Sequence, residues 1–176
     1  MAQTVRWPLE SNVIRRNSLS NTFGKVRKYA DGSPKSHQGW DFFAVPGTPC
    51  YAIEAGKVEY CGQKGDFGLM IVHSFTFGGT TYYAAYAHLD SSEVSKNETI
   101  EKGRRIGTTG KSGNAANLPA DDMHLHFETR TTAMPGLGLA GRVSPIKIYG
   151  VCPLVTPVLS PFGLLGRTAW IGIQYA

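Results

Sequence analysis

Cysteine is scarce in this chain of 176 residues: there are three, too few for a disulfide framework to hold the fold together. Long hydrophobic runs are missing as well. No stretch approaches the about 20 apolar residues of a membrane-spanning helix. The apolar tail of residues 151–176 is broken by Pro153, Pro157 and Pro161, so it is expected to pack against the domain rather than enter a bilayer. The opening residues, Met1-Ala-Gln-Thr-Val-Arg-Trp-Pro-Leu-Glu10, lack the apolar core of a signal peptide, so classical export is not expected. Charged residues make up only 18% of the chain against 41% hydrophobic, which excludes a disordered polyelectrolyte. Sustained helical periodicity is absent too, which argues against a helical bundle.

What is abundant is glycine, at 21 residues, with Val, Ile, Thr and Tyr recurring in short runs. That composition predicts a β-rich fold with many turns, and the length fits one domain able to bury a proper core. Strand-like runs fall at residues 40–44, 50–53, 57–61, 69–75, 81–88 and 124–129. Residues 1–36 read as irregular, and residues 110–122 as a long polar loop of the kind that carries function. A two-residue turn at Ala55-Gly56 would pair Ile53 with Val58 and Cys50 with Cys61. The two sulfurs would then be neighbours, as a cross-strand disulfide or as two buried free thiols.

The formal charge is +5. A nucleic-acid binder would concentrate such charge in a Lys/Arg stripe with interleaved aromatics. Here the basic residues are dispersed, with small groups at Arg15-Arg16, at 25–28 and at 102–105, so no nucleic-acid partner is expected. A diffuse positive field suits another anionic polymer equally well. Ordinary surface solvation accounts for it as readily, so charge alone does not choose.

Histidine is more informative. There are five in the chain, and four fall in three short patterns: His37-Gln-Gly-Trp-Asp41, Tyr86-Ala-His88-Leu89 and His124-Leu-His126-Phe127-Glu128. In a strand, His124 and His126 point to one side while Met123, Leu125 and Phe127 point to the other. Such a pair is either a surface pair or two imidazoles in a groove. His37 and Asp41 are zinc-ligand types at chelating spacing, although many such pairs bind nothing. Gly39 leaves the backbone free to bend between them. Alternation places Tyr82, Ala84, Tyr86 and His88 on one face. His73 reads as structural. A catalytic zinc keeps three protein ligands and an open position. His37, Asp41 and one member of the His-x-His pair supply three, leaving the other member and His88 beside the metal. A water acidified to a pKa of roughly 7 by zinc, with imidazoles at hand to move its proton or steady an oxyanion, is a recipe for amide hydrolysis.

These motifs, in this order, resemble those of the lysostaphin-type (M23, LytM-like) peptidoglycan metalloendopeptidases. The resemblance runs from about Trp7 to Arg130. It takes in Trp7-Pro8-Leu9, Thr22-Phe23-Gly24, Gly47-Thr48-Pro49, the Ala55-Gly56-Lys57-Val58 turn, Gly103-x-x-Ile106-Gly107 and Thr109-Gly110-x-Ser112-Gly113 besides the histidine motifs. It implies a mainly β fold: a compact single-domain antiparallel sheet core with long groove-forming loops, and residues 131–176 as an extension packed on it. It also implies one zinc ion held by His37, Asp41 and His126, with His88 and His124 as catalytic residues. The substrate it implies is peptidoglycan, cut in cross-links or stem peptides. Some relatives only activate other wall hydrolases, so a binding or activating module is the rival; the presence of all five residues favours the enzyme. The insertion at 114–122 departs from the family pattern and is expected to form one wall of the groove. Without wall-targeting domains or an export signal in this sequence, the expected setting is the periplasm or cell wall. It would be reached as a secretion-system effector, with a cognate immunity protein, or as a phage lysin.

Overall fold

The computed structural model describes residues 4–160. The strands are β1 (Ser11–Asn12), β2 (Gly24–Lys28), β3 (Pro34–His37), β4 (Trp40–Phe43), β5 (Pro49–Tyr51), β6 (Gly56–Gln63), β7 (Leu69–Phe77) and β8 (Thr80–Ser92), followed by β9 (Thr99–Ile100), β10 (Arg105–Thr109), β11 (His124–Arg130) and β12 (Arg142–Val143). A single helical turn, α1 (Ile146–Tyr149), and β13 (Val158–Leu159) follow. The pairings are antiparallel throughout, and the main sheet runs β12-β11-β8-β7-β6-β9, with β4 on β11 and β10 bridging β5 and β8. The expected mainly β, antiparallel fold is what the chain adopts. Among the described residues no helix is long and apolar enough to cross a membrane.

Strand alternation sorts the sheet into two faces. One carries Trp40, Phe42, Tyr82, Ala84, Tyr86, Leu125 and Phe127 into the main core. Trp7 and Tyr149 close over it, their rings stacked at 4.0 Å, with Trp7 6.4 Å from Trp40. The other face is lined by the smaller cluster of Met70, Val72, Ala85 and Ala87. On this face His126 stands opposite Ala87 and Glu128 opposite Ala85. The two alanines leave room for the larger polar side chains beside them.

Residues 1–36 are more ordered than their composition suggests. β2 and β3 form a hairpin, and β1 pairs with β13. The hairpin's charged, polar residues give it no apolar alternation by which to be read. The tail is seated on the domain as far as it is described: Ile148 and Tyr149 join the core, and Ile14 N–H donates to Pro153 O at 2.8 Å. Residues 161–176 of that expected extension lie outside the described residues.

The Cys50–Cys61 hairpin is corrected by the structure. Cys50 in β5 faces Gly107 of β10, and Cys61 in β6 faces Ile71 of β7. Ile53 and Val58 do not pair because their N–H groups are used elsewhere, on the Tyr86 hydroxyl at 3.2 Å and on Glu98 O at 2.8 Å. Both cysteines are free; Cys50 is buried and Cys61 half-buried against Ser92 Oγ at 3.1 Å.

His73 is a core residue with satisfied partners. Its Nδ1–H donates to Ser74 O at 3.0 Å, and Nε2 accepts from the Tyr86 hydroxyl at 3.1 Å. Burial pushes its pKa down from 6.5 to about 4. Below pH 6.5 the unfolded chain takes up a proton at this ring that the folded chain refuses until about pH 4. Its contribution is therefore full above pH 6.5 and shrinks as pH falls to 4, by roughly 3 kcal/mol across that window. Denaturant titrations of wild type and His73→Phe should show a flatter pH profile for the variant between 6.5 and 4, whatever its absolute stability. Parallel profiles would remove His73 as the cause.

Candidate metal centre and active site

The register of β11 against β4 builds the centre. His126 is the direct partner of Asp41, and their side chains emerge from the same face, with His126 Nδ1 2.8 Å from Asp41 Oδ1. His37 ends β3, and the chain turns at Gly39 into β4. A Cβ on Gly39 would lie 2.2 Å from Phe127 O. The glycine is thus required by close backbone approach to β11 as well as by the bend. His37 Nε2 ends 3.1 Å from Asp41 Oδ1 and 3.3 Å from His126 Nδ1. The three donor atoms lie within 4.8 Å of one another and are buried.

The lone pairs are aimed by acceptors behind each ring. His37 Nδ1–H donates to Thr22 O at 2.8 Å, which leaves Nε2 bare toward the centre. His126 Nε2–H donates to Glu128 Oε1 at 3.1 Å, which turns Nδ1 inward. Glu128 is fully buried; its other oxygen accepts from Arg130 Nε at 2.5 Å and Arg142 Nε at 2.7 Å. This carboxylate–imidazole arrangement is how proteins orient metal-ligating histidines. Asp41 Oδ2 accepts from Arg27 Nη2 at 2.8 Å, with Arg15 Nη2 at 3.5 Å. One His nitrogen from each ring plus a carboxylate oxygen is a donor set that fits zinc.

Charge follows the same geometry. Burial resists ionisation of Asp41, yet hydrogen bonds from His126 and His37 hold its carboxyl well below the usual range. Burial likewise opposes a proton on His126, but the Asp41 and Glu128 hydrogen bonds override it and raise the ring to about 9. Glu128 is brought down to about 2, against its burial, by His126 and Arg130. Burial lowers His37, partly offset by Asp41.

His88 and His124 complete the cluster. Their rings lie 5.0 Å apart, and His88 is 6.0 Å from His126. His88 does not share the face of Tyr82, Ala84 and Tyr86, as simple alternation predicts. Between the pairs Leu69–Leu89 and Ile71–Tyr86, β8 carries one residue more than β7, a bulge that re-aims the side chain that follows. His88 takes φ +61° there, a left-handed conformation rare outside glycine, and its ring swings from the core face to the site. Both rings are tethered alike: His88 Nδ1–H donates to Ser112 O at 3.0 Å, His124 Nδ1–H to Asp122 O at 2.8 Å. Among the described residues neither Nε2 makes a hydrogen bond, and His124 Nε2 lies 3.7 Å from Asp41 Oδ1. Burial brings His88 down to about 3 and lowers His124, so burial favours the neutral form of both rings.

The structure thus gathers His37, Asp41, His88, His124 and His126 at the floor of one open groove of about 450 Å³. Asn114 and Leu118 of the 114–122 insertion line it. Asp122, which ends that insertion, is gripped by Arg16 at 2.6 and 2.8 Å. The residues that sequence reading passed over are Glu128, quoted in a motif without a role, and the basic residues Arg15, Arg27, Arg130 and Arg142. Glu128 two positions past His126, on the same strand face, was the available signal. No local pattern links the arginines to the site.

A buried His/Asp/His centre on an antiparallel sheet, with two neutral imidazoles beside it in an open groove, is the architecture of a metallopeptidase site. The chain belongs to peptidase family M23, whose family model matches residues 35–136. It is 35% identical over 114 residues to the peptidoglycan DD-endopeptidase ShyC of Vibrio cholerae, covering 62% of this chain and 24% of that protein. It is 30% identical over 129 residues to the murein hydrolase activator NlpD of Escherichia coli, covering 72% and 28%. A solved zinc-containing peptidase from Vibrio cholerae superposes with a TM-score of 0.58 at 26% identity, over 73% of this chain and 37% of that one. The chain spans less than half the length of these relatives.

Proposed function

We propose that this protein is a zinc-dependent endopeptidase that hydrolyses amide bonds in the peptides of bacterial peptidoglycan. In this reading His37, Asp41 and His126 hold one zinc ion, and His88 and His124 are the catalytic residues. The observation that carries it is the convergence of a three-donor centre with two imidazoles whose Nε2 atoms are bare because each Nδ1–H is tethered to a carbonyl oxygen. Zinc at such a centre supplies a Lewis acid and lowers the pKa of water to about 7. The chain's own groups do the rest. One Nε2 takes the proton of the attacking water and returns it to the leaving amine. The other ring, after taking up a proton from bulk water at Nε2, donates a hydrogen bond to the oxyanion. The groove walls orient the peptide, and the Arg27 contact holds Asp41 in place.

The bond we assign is the directly cross-linked D-alanyl–diaminopimelate type, in keeping with the named activity of the DD-endopeptidase relative. Its place of action is the periplasm or cell wall, entered as a secretion-system effector or phage lysin. Secretion and immunity genes, or holin genes, beside its own would tell these two apart. The similarity to a murein hydrolase activator supplies the second reading, a module that grips the wall without cutting it.

Digestion of purified sacculi of both cross-link types decides between them. Zinc-loaded protein should release shortened cross-links, identified by mass spectrometry, and a chelator should stop it. Intact sacculi with zinc bound would overturn the enzyme and favour the activator.

A further inference from the structure

The hairpin of β2 and β3 forms one lip of the groove, and its charge is one-sided. Between Gly24 and His37 it carries Lys25, Arg27, Lys28 and Lys35 against a single acid, Asp31, which is occupied by Ser33 in the turn. Arg27 and Lys35 are direct cross-strand partners, and both line the groove. Like charges placed opposite one another in a ladder repel. Among the described residues no carboxylate lies within ion-pair distance of Lys35; its ammonium sits 5.3 Å from the Tyr29 ring centroid.

Arg27 is only partly used. Nε donates to Ser20 O at 2.7 Å, and Nη2 to Asp41 Oδ2 at 2.8 Å and Asn21 Oδ1 at 3.3 Å. Nη1 has no partner among the described residues, and the side chain is 30% exposed. The guanidinium thus touches the Asp41 carboxylate with one nitrogen and leaves a second unused. Through Asp41, Arg27 is thereby in direct contact with the three-donor centre.

Resting on the function proposed above, we infer that Arg27 and Lys35 form a subsite for a substrate carboxylate carried on the carbon bonded to the scissile nitrogen. An anion there offsets the repulsion within the hairpin and takes charge-assisted hydrogen bonds from Arg27 Nη1 and the Lys35 ammonium. Two peptidoglycan sources share this chemistry. One is the free carboxylate of a diamino acid whose side-chain amine is acylated in a cross-link. The other is the C-terminal carboxylate of an uncross-linked stem peptide. Glycine bridges carry no carboxylate at that position and gain nothing from the pair.

The test uses the full zinc-loaded chain and synthetic peptides in matched pairs that differ only in having a carboxylate or a carboxamide at that carbon. One pair is a cross-linked dimer, the other a linear stem peptide, so the preferred pair names the source. Wild type should favour the carboxylate by about tenfold in kcat/KM, as expected for charge-assisted hydrogen bonds. Lys35→Glu, which alters none of the three donor side chains, should abolish or reverse that preference while zinc content is retained. Arg27→Gln should also reduce the ratio. Equal rates on both members of each pair in wild type, or an unchanged ratio in Lys35→Glu, would overturn the subsite.

Calorimetric binding of the same peptides keeps the two readings separable. If the zinc protein cleaves neither member, the endopeptidase fails; tighter binding of the carboxylate peptide, lost in Lys35→Glu, would still support the subsite. Equal binding would overturn it.

Discussion

Replacing His88 or His124 with alanine is expected to leave zinc bound and the fold intact while hydrolysis falls by about 10²–10⁴-fold. The two rings stand beside the three-donor centre but are not part of it: His124 Nε2 lies 3.7 Å from Asp41 Oδ1, and His88 touches the centre only through ring packing. On the proposed roles, their removal takes away proton transfer and oxyanion stabilisation, not ligation. Because both rings are proposed to act on one transition state, the double variant should fall little further than the worse single one. Elemental analysis and peptide kinetics on the same preparations provide the check. Unaltered rates in either variant would end that residue's catalytic assignment, whereas loss of zinc would make it a ligand.

A second large effect is expected at Glu128, which no metal would touch. Glu128→Gln leaves Arg130 and Arg142 facing an uncharged amide in a fully buried position. Breaking a buried ion pair by removing one partner costs about 3–5 kcal/mol. The same change loosens His126, whose Nε2–H the carboxylate accepts, and a lost partner of this kind lowers metal affinity about 10–100-fold. Denaturant unfolding of the metal-free protein measures the first effect and competition with a chromophoric chelator the second. A variant as stable as wild type, with undiminished zinc affinity, would show that Glu128 neither anchors the arginines nor orients the ring.

Much of this was legible because strand alternation is a strict rule. It put His124 and His126 on one face and Leu125 and Phe127 on the other, as found. The main strand runs at 40–44, 69–75 and 124–129 needed only end corrections. His88 escaped the rule because the bulge depends on a left-handed backbone at a non-glycine residue, which no pattern of residue types announces. The Cys50–Cys61 hairpin failed for a related reason. A turn signal says that the chain reverses, but not whether the N–H groups on either side find each other or, as at Ile53, a tyrosine hydroxyl. The β2–β3 hairpin was missed because it is held at the groove lip rather than in the core, so no apolar residues betray its period. Arg142 reaches Glu128 across fourteen residues, a distance at which sequence spacing carries no geometric meaning.

The stacking of Trp7 on Tyr149 has a bearing on how the molecule can be dissected. Neither residue falls within the segment 35–136 matched by the family model, yet together they roof Trp40, and Tyr149 lies 6.3 Å from the Phe127 ring. Arg142, which helps fix Glu128, also lies beyond that segment. An excision at the boundaries of the match would uncover the aromatic floor beneath β4 and β11 and unpin the ring of His126 from behind. The matched middle is therefore not a portable cassette: grafting this centre onto another scaffold means carrying both flanks with it.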